Sequence, residues 1–116
     1  MRIIGVLLAL VLCVCSVAEA KNKRVIANTS WYNCCKKTAS GELLDPTAMT
    51  VAHRTLPFGT RVLFMNPANG TTACARVNDR GPFVRDRVWD GTRAFAIRLR
   101  FIGQGVAYLT WTVGGC

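Results

Sequence analysis

A chain of 116 residues with fifteen Lys and Arg against six Asp and Glu, formally +9 at pH 7, is sized for one ordinary domain. The basic balance implies an anionic partner, and the charges are scattered singly with no basic tail, which describes a diffusely attractive surface. After the first fifteen residues no segment approaches the ~20 apolar residues of a spanning helix, so stable membrane insertion is not expected.

Met1-Arg2 followed by the apolar run Ile3 to Cys15 has the n-region and h-region of a secretory signal, and Ala18-Glu19-Ala20 supplies a small-x-small cleavage site. Residues 1–20 are therefore expected to be removed, leaving 21–116 as the domain, secreted or held in the periplasm or cell envelope. Leu12 before Cys13 and Val14 before Cys15 do not suit lipid attachment, which wants a small residue there. Export argues against nucleic acid as the anionic partner. It favours a cell-wall polymer, another anionic glycan or a membrane surface, met by a monomer.

Cys13 and Cys15 leave with the signal. Cys34, Cys35, Cys74 and Cys116 remain, an even number in an oxidising compartment, which reads as two disulfides. A bridge between the adjacent pair is the strained choice, so Cys34 and Cys35 are each expected to reach separately to Cys74 or Cys116. Adjacent cysteines lack the spacing of zinc ligands, so no metal is expected, and no motif calls for a cofactor.

Val25 to Tyr32 is rich in strand formers, and Asn33 to Lys37 is a cysteine-bearing basic turn followed by a loop over Thr38 to Glu42. Thr50 to His53 reads as a short strand stopped by Leu56-Pro57-Phe58-Gly59, and Arg61 to Met65 as another. Asn66-Pro67 and Asn69-Gly70 give a hairpin signal into the alternating run Thr72 to Val77. Asp90-Gly-Thr92 opens a helix from Arg93 to about Arg100, and Val106 to Val113 ends the chain as an alternating strand. About six short strands and one short helix are most economically arranged as a small closed barrel, which hides every edge.

Gly81-Pro82 halts the Thr72–Val77 strand and leaves Asp79 at a strand end beside Arg80. Strand ends feeding tight turns are where binding and catalytic groups concentrate, although an ordinary turn also uses an Asp to accept backbone hydrogen bonds.

Thr29-Ser-Trp-Tyr32, Thr38-Ala-Ser-Gly-Glu42, Ala52-His-Arg-Thr-Leu-Pro-Phe-Gly-Thr60, Val77-Asn-Asp-Arg-Gly-Pro-Phe83 and Val88-Trp-Asp90 occur in that order. Together they resemble the double-psi β-barrel domain of the rare lipoprotein A (RlpA)-like proteins, from about residue 27 to 113. The resemblance implies an all-β, six-stranded double-psi β-barrel with one short helix. It also implies a lytic transglycosylase activity on peptidoglycan, with the family's functional residues falling on Glu42, His53 and Asp79. Such an enzyme breaks the MurNAc–GlcNAc β-1,4 bond without water, because the C6 hydroxyl of the sugar closes on C1 and gives a 1,6-anhydromuramyl end. One carboxyl group then serves as acid and afterwards as base, a part for Asp79 or Glu42 and best filled by a group with a raised pKa. Arg80 is expected to point toward substrate, and His53 either orients a carboxyl group or the substrate, or is a structural histidine at a strand end. Trp31 and Tyr32 are candidates for stacking on sugar faces, but neighbours on a strand face opposite ways, so at most one lines a groove. Asp90 is either a helix N-cap or a contributor to the site.

The segment Asn33-Cys-Cys-Lys-Lys37 departs from the family pattern and is similar to the Trp-Asp-Cys-Cys-Lys motif of family 45 endoglucanases, which share the barrel. Asn33 stands where their catalytic base would be, which disfavours hydrolysis by that route. Two other readings involve no chemistry: an expansin-like module that grips or loosens wall polysaccharide with the same groove, and a disulfide-stapled, barwin-like secreted defence or effector protein that acts by binding a partner.

Overall fold

A computed structural model describes residues 25–32 and 37–116. The signal and its cleavage site, and the Cys34 and Cys35 of the basic turn, lie outside the described residues.

Six strands close into a barrel: β1 (Val25–Trp31), β2 (Thr50–Ala52), β3 (Arg61–Met65), β4 (Thr72–Asp79), β5 (Trp89–Gly91) and β6 (Val106–Val113), in the order β1-β5-β2-β4-β3-β6. The pairs β1–β5 and β2–β4 are parallel and the other four antiparallel. Period-two alternation decides what goes inside. Ala73, Ala75 and Val77 of β4, Val62 and Phe64 of β3 and Leu109 of β6 are buried, while Thr72, Cys74 and Arg76 between them lie toward the outer wall. Trp89, Phe64, Phe95 and Phe101 fill the centre, with Phe64 edge-on to Trp89 and to Phe95 at ring centroid distances of 4.9 Å each.

The expected Asn-Gly hairpin joins β3 to β4: Asn66 N–H donates to the Thr71 carbonyl, and Gly70 has a positive φ of 75°. The helix α1 (Arg93–Arg98) is capped not by Asp90 but by Thr92, whose Oγ1 accepts from Phe95 N–H at 3.3 Å. Asp90 sits two residues earlier, inside β5, a strand too short to show a period and not foreseen in the sequence.

The cysteine pairing also differs from expectation. Cys74 bonds Cys116, with Cα atoms 6.1 Å apart, so neither is left for Cys34 or Cys35. The register explains this. Cys74 pairs across with Leu63, Leu63 pairs with Thr112, and the chain then turns at Gly114 (φ 74°) to lay Gly115 against the Leu63 side chain. The last residue arrives beside β4 on its outer face.

Candidate active site

Four strands are in register at one level of the barrel: Ser30 of β1 opposite Asp90 of β5, Asp90 opposite Ala52 of β2, and Ala52 opposite Asp79 of β4. Trp31, Gly91, Val51 and Val77 form the next level and belong to the inner wall, where Val51 and Val77 are fully buried. Cross-strand partners share a face and sequence neighbours do not, so Ser30, Asp90, Ala52 and Asp79 belong to the outer wall. Ala52 is the small floor between two acids that stand two strand spacings, roughly 10 Å, apart at their Cα atoms.

A bulge delivers Asp79 to this row. Val51 pairs with Val77 but Ala52 pairs with Asp79, leaving Asn78 as the extra residue. Without it the outward position would be Asn78. Asp79 is 6% exposed. Its Oδ1 accepts from the backbone N–H groups of Ala39 (2.8 Å) and Arg80 (2.9 Å), and its Oδ2 accepts from the Tyr32 hydroxyl at 3.1 Å. Tyr32 follows β1 and is pinned by its own N–H to the Gly91 carbonyl at 2.8 Å. Burial, then the charge of Asp79 with its hydrogen bond, then the charge of Asp90, hold the Tyr32 phenol well above its ordinary value, so it remains a donor. Asp90 accepts from the Ser30 hydroxyl at 3.0 Å.

Tyr32, Asp79 and Asp90 form the polar side of a groove of about 340 Å³, and Pro82, Phe83 and Val84 its apolar rim. That volume lies at the small end of ligand sites. Of the adjacent aromatic pair, Tyr32 lines the groove and Trp31 packs against the core.

Glu42 and His53 lie close by in different settings. The loop bearing Glu42 folds over the end of β4, with Ser40 N–H on the Asn78 carbonyl at 3.2 Å. The Glu42 carboxylate is gripped in fork geometry by Arg76 through two hydrogen bonds of 2.6 Å, and these, foremost, hold its pKa below the ordinary carboxylate value. His53 follows Ala52 and so turns to the inner side. Its ring centroid lies 4.5 Å from Trp89 and 6.3 Å from Trp111, and its Nδ1 accepts from the N–H groups of Thr55 and Leu56. Burial and then the charges of Arg80 and Arg54 push its pKa down. The imidazole is thus neutral with its proton on Nε2, and its link to Asp79 is through the backbone, His53 N–H to the Asp79 carbonyl at 3.2 Å.

Arg80 lines the groove, but its guanidinium turns to the carbonyls of Leu56 (2.8 Å) and His53 (3.4 Å) and lies 4.0 Å from the Phe58 ring centroid. Arg54, a motif letter to which the sequence attached no role, makes three hydrogen bonds to the loop after Gly81, with the carbonyls of Pro82 (2.7 Å), Val84 (3.1 Å) and Arg87 (2.8 Å). Side chains that grip backbone carbonyls leave no signature in a single sequence. Among the described residues no cluster of three His, Cys, Asp or Glu could hold a metal, and no helix is long and apolar enough to cross a membrane.

Residues 24–111 match the family described as "Lytic transglycolase". The chain is 54% identical over 72 residues to a probable endolytic peptidoglycan transglycosylase RlpA from Nostoc sp., covering 62% of this chain and 19% of that protein. It is 44% identical over 85 residues to the endolytic peptidoglycan transglycosylase RlpA of Neisseria meningitidis, covering 71% and 36%. With that of Pseudomonas aeruginosa it shares 41% identity over 92 residues, covering 77% and 27%. The chain therefore spans between about a fifth and about a third of the length of these relatives. In fold it is similar to the Streptomyces papain inhibitor, with a TM-score of 0.65, 22% identity and coverage of 79% of this chain and 94% of that one. Cerato-platanin 3 from M. perniciosa follows with a TM-score of 0.57, 13% identity and coverage of 77% and 93%.

Proposed function

The chain belongs to the lytic transglycolase family, a double-psi β-barrel family, and on that premise we propose that it is an exported enzyme that cleaves peptidoglycan between MurNAc and GlcNAc and leaves 1,6-anhydromuramyl ends. The observation that carries the reading is Asp79: a nearly buried carboxyl group at a strand end, oriented by three donors and opening on a groove. Two amide N–H groups occupy Oδ1, which leaves Oδ2 as the oxygen to exchange a proton with substrate. Protonated Asp79 gives that proton to the glycosidic oxygen as the C1–O4 bond breaks. The resulting carboxylate then takes the proton of the C6 hydroxyl as the O6–C1 bond forms, so the acid is regenerated and no water is consumed. The Tyr32 hydroxyl fixes the direction of Oδ2. Asp90, at the far side of Ala52, supplies negative charge and a hydrogen-bond acceptor to the sugar on which positive charge develops. Glu42, engaged by Arg76, tethers the loop whose Ala39 N–H holds Oδ1, and His53 positions the chain end of β2 beside Asp79.

Purified sacculi incubated with the folded protein should release anhydromuropeptides, read by mass spectrometry. Asp79→Asn should abolish release with the fold intact, and Glu42→Gln should retain most of it. Reducing ends in place of anhydro ends would mean hydrolysis. Retention on the wall without products would leave a binding module, and full activity of Asp79→Asn would remove Asp79 from the chemistry.

A further inference from the structure

We propose that Phe83 is an aromatic platform for a pyranose ring beside Asp79, and that Arg54 is the positioning residue that holds it there. The inference rests on the glycan-cleaving reading above and names a binding residue of that same groove.

Phe83 is 81% exposed and its neighbour Val84 54%. Exposure alone carries nothing, because single apolar residues are scattered over every protein surface. What distinguishes Phe83 is the rigidity of the segment that displays it. Arg54 Nε donates to the Pro82 carbonyl on one side of Phe83, and its Nη2 donates to the carbonyls of Val84 and Arg87 on the other. The loop is thereby stapled to the chain just after β2, which carries the groove floor, Ala52. The ring also lies close to Gly81. Its Cε2 and Cδ2 lie 3.5 and 3.6 Å from the point where a side chain on Gly81 would begin, and Gly81 has a φ of 120° that an L side chain rarely adopts. One edge of the ring therefore rests on bare backbone while most of the ring faces solvent.

The groove thus combines acidic, hydrogen-bonding side chains with one exposed aromatic ring among its lining residues. A pyranose has the matching chemistry: hydroxyl groups at its edge for Asp90 and Tyr32, and a C–H face for an aromatic ring. Because the guanidinium fork of Arg54 holds the backbone on both sides of Phe83, little backbone-ordering cost remains at binding.

The test measures binding separately from chemistry. In an Asp79→Asn background, so that the wall is not consumed, retention on purified sacculi is titrated by sedimentation for the parent and for variants at Phe83 and Arg54. Phe83→Ala should weaken half-saturation about tenfold, the loss typical of truncating an interface anchor, and Phe83→Trp should restore it to within a few-fold. Arg54→Lys keeps the charge but loses the fork, and it should weaken binding in the parent yet add nothing to Phe83→Ala. Thermal midpoints of all variants report folding. Unchanged half-saturation for folded Phe83→Ala overturns the platform, and additive losses for the pair overturn the part given to Arg54. The reading on which this rests is checked in parallel by product release from sacculi by the unmutated protein. If no product forms and Phe83→Ala still binds tenfold more weakly, the platform stands and the chemistry falls. If product forms and Phe83→Ala binds as its parent does, the reverse holds.

Discussion

Deleting one oxygen atom, Tyr32→Phe, tests the geometry on which the acid assignment depends. The hydroxyl is 3.1 Å from Asp79 Oδ2, whereas Oδ1 keeps its two amide donors in the variant. Removing one partner of a hydrogen bond and leaving the other unsatisfied costs about 1–3 kcal/mol. Asp79 lines the groove, where water can replace the lost hydroxyl, so the low end applies, about 1 kcal/mol, which lowers Tm by roughly 4–8 °C in a domain of this size. Packing is not a rival explanation, since the phenyl ring keeps its shape. The contact is isolated by a double-mutant cycle with Asp79→Asn, each stability taken from urea denaturation. A hydrogen bond between the two side chains gives a coupling of about 1 kcal/mol, whereas independent residues add to within about 0.3 kcal/mol. Additivity at that level would show that Tyr32 does not hold Asp79, and the orientation argument for the acid would fail with it.

The single histidine makes stability depend on pH in a definite direction. The folded pKa of His53 is depressed below its ordinary value of 6.5, so the unfolded chain takes up the proton first as pH falls. Its contribution is therefore complete above pH 6.5 and is lost as pH drops through and below that value. The urea midpoint should fall between pH 7.5 and 5.5, and His53→Gln should flatten that slope; an unchanged slope would assign it elsewhere. Replacing Cys74 and Cys116 by Ser opens a loop of sequence separation 42 and should cost about 4 kcal/mol, read from denaturation under non-reducing conditions, and an unchanged midpoint would argue against the bridge. Gly91→Ala would drive a Cβ onto the Phe95 ring, overlapping Cδ1 and coming within 2.8 Å of Cγ. It should destabilise by about 1–3 kcal/mol, and a variant as stable as the parent would contradict the packing of β5 on α1.

Much of this was legible in the sequence because it is written in alternation and turn chemistry. The strands from Arg61 and from Val106, the Asn69-Gly70 hairpin and the end of the Thr72 strand near Gly81 follow from period two and from residues that break it. Three things were not legible, for separate reasons. Trp89–Gly91 is a three-residue strand whose central Asp90 looks like a helix cap, and only pairing on both sides with β1 and β2 makes it a strand. The bulge at Asn78 moves Asp79 into the outward row, and a one-residue slip has no mark in composition. The disulfide required knowing that β3 lies between β4 and β6, which brings the C-terminal residue back to Cys74, a non-local fact.

Strand parity also explains why the polar motif residues behave so differently. At the end of β2, Ala52 faces outward as the groove floor, and His53, one residue later, faces the indoles of Trp89 and Trp111. A charge on that ring would have two backbone N–H groups aimed at the nitrogen that must take the proton, and two guanidinium groups nearby, so the imidazole stays neutral. Asp79 and Asp90 occupy the opposite parity. There the barrel wall, not its interior, surrounds them, and backbone amides and hydroxyls from Ala39, Arg80, Tyr32 and Ser30 reach them. A small barrel cannot place acids in its packed centre without unpaired charge, but its outer wall offers in-register rows that cross several strands and can be roofed by loops. The acids therefore sit on the outside, the neutral ring sits inside, and a single bulge puts Asp79 into the same row as Asp90.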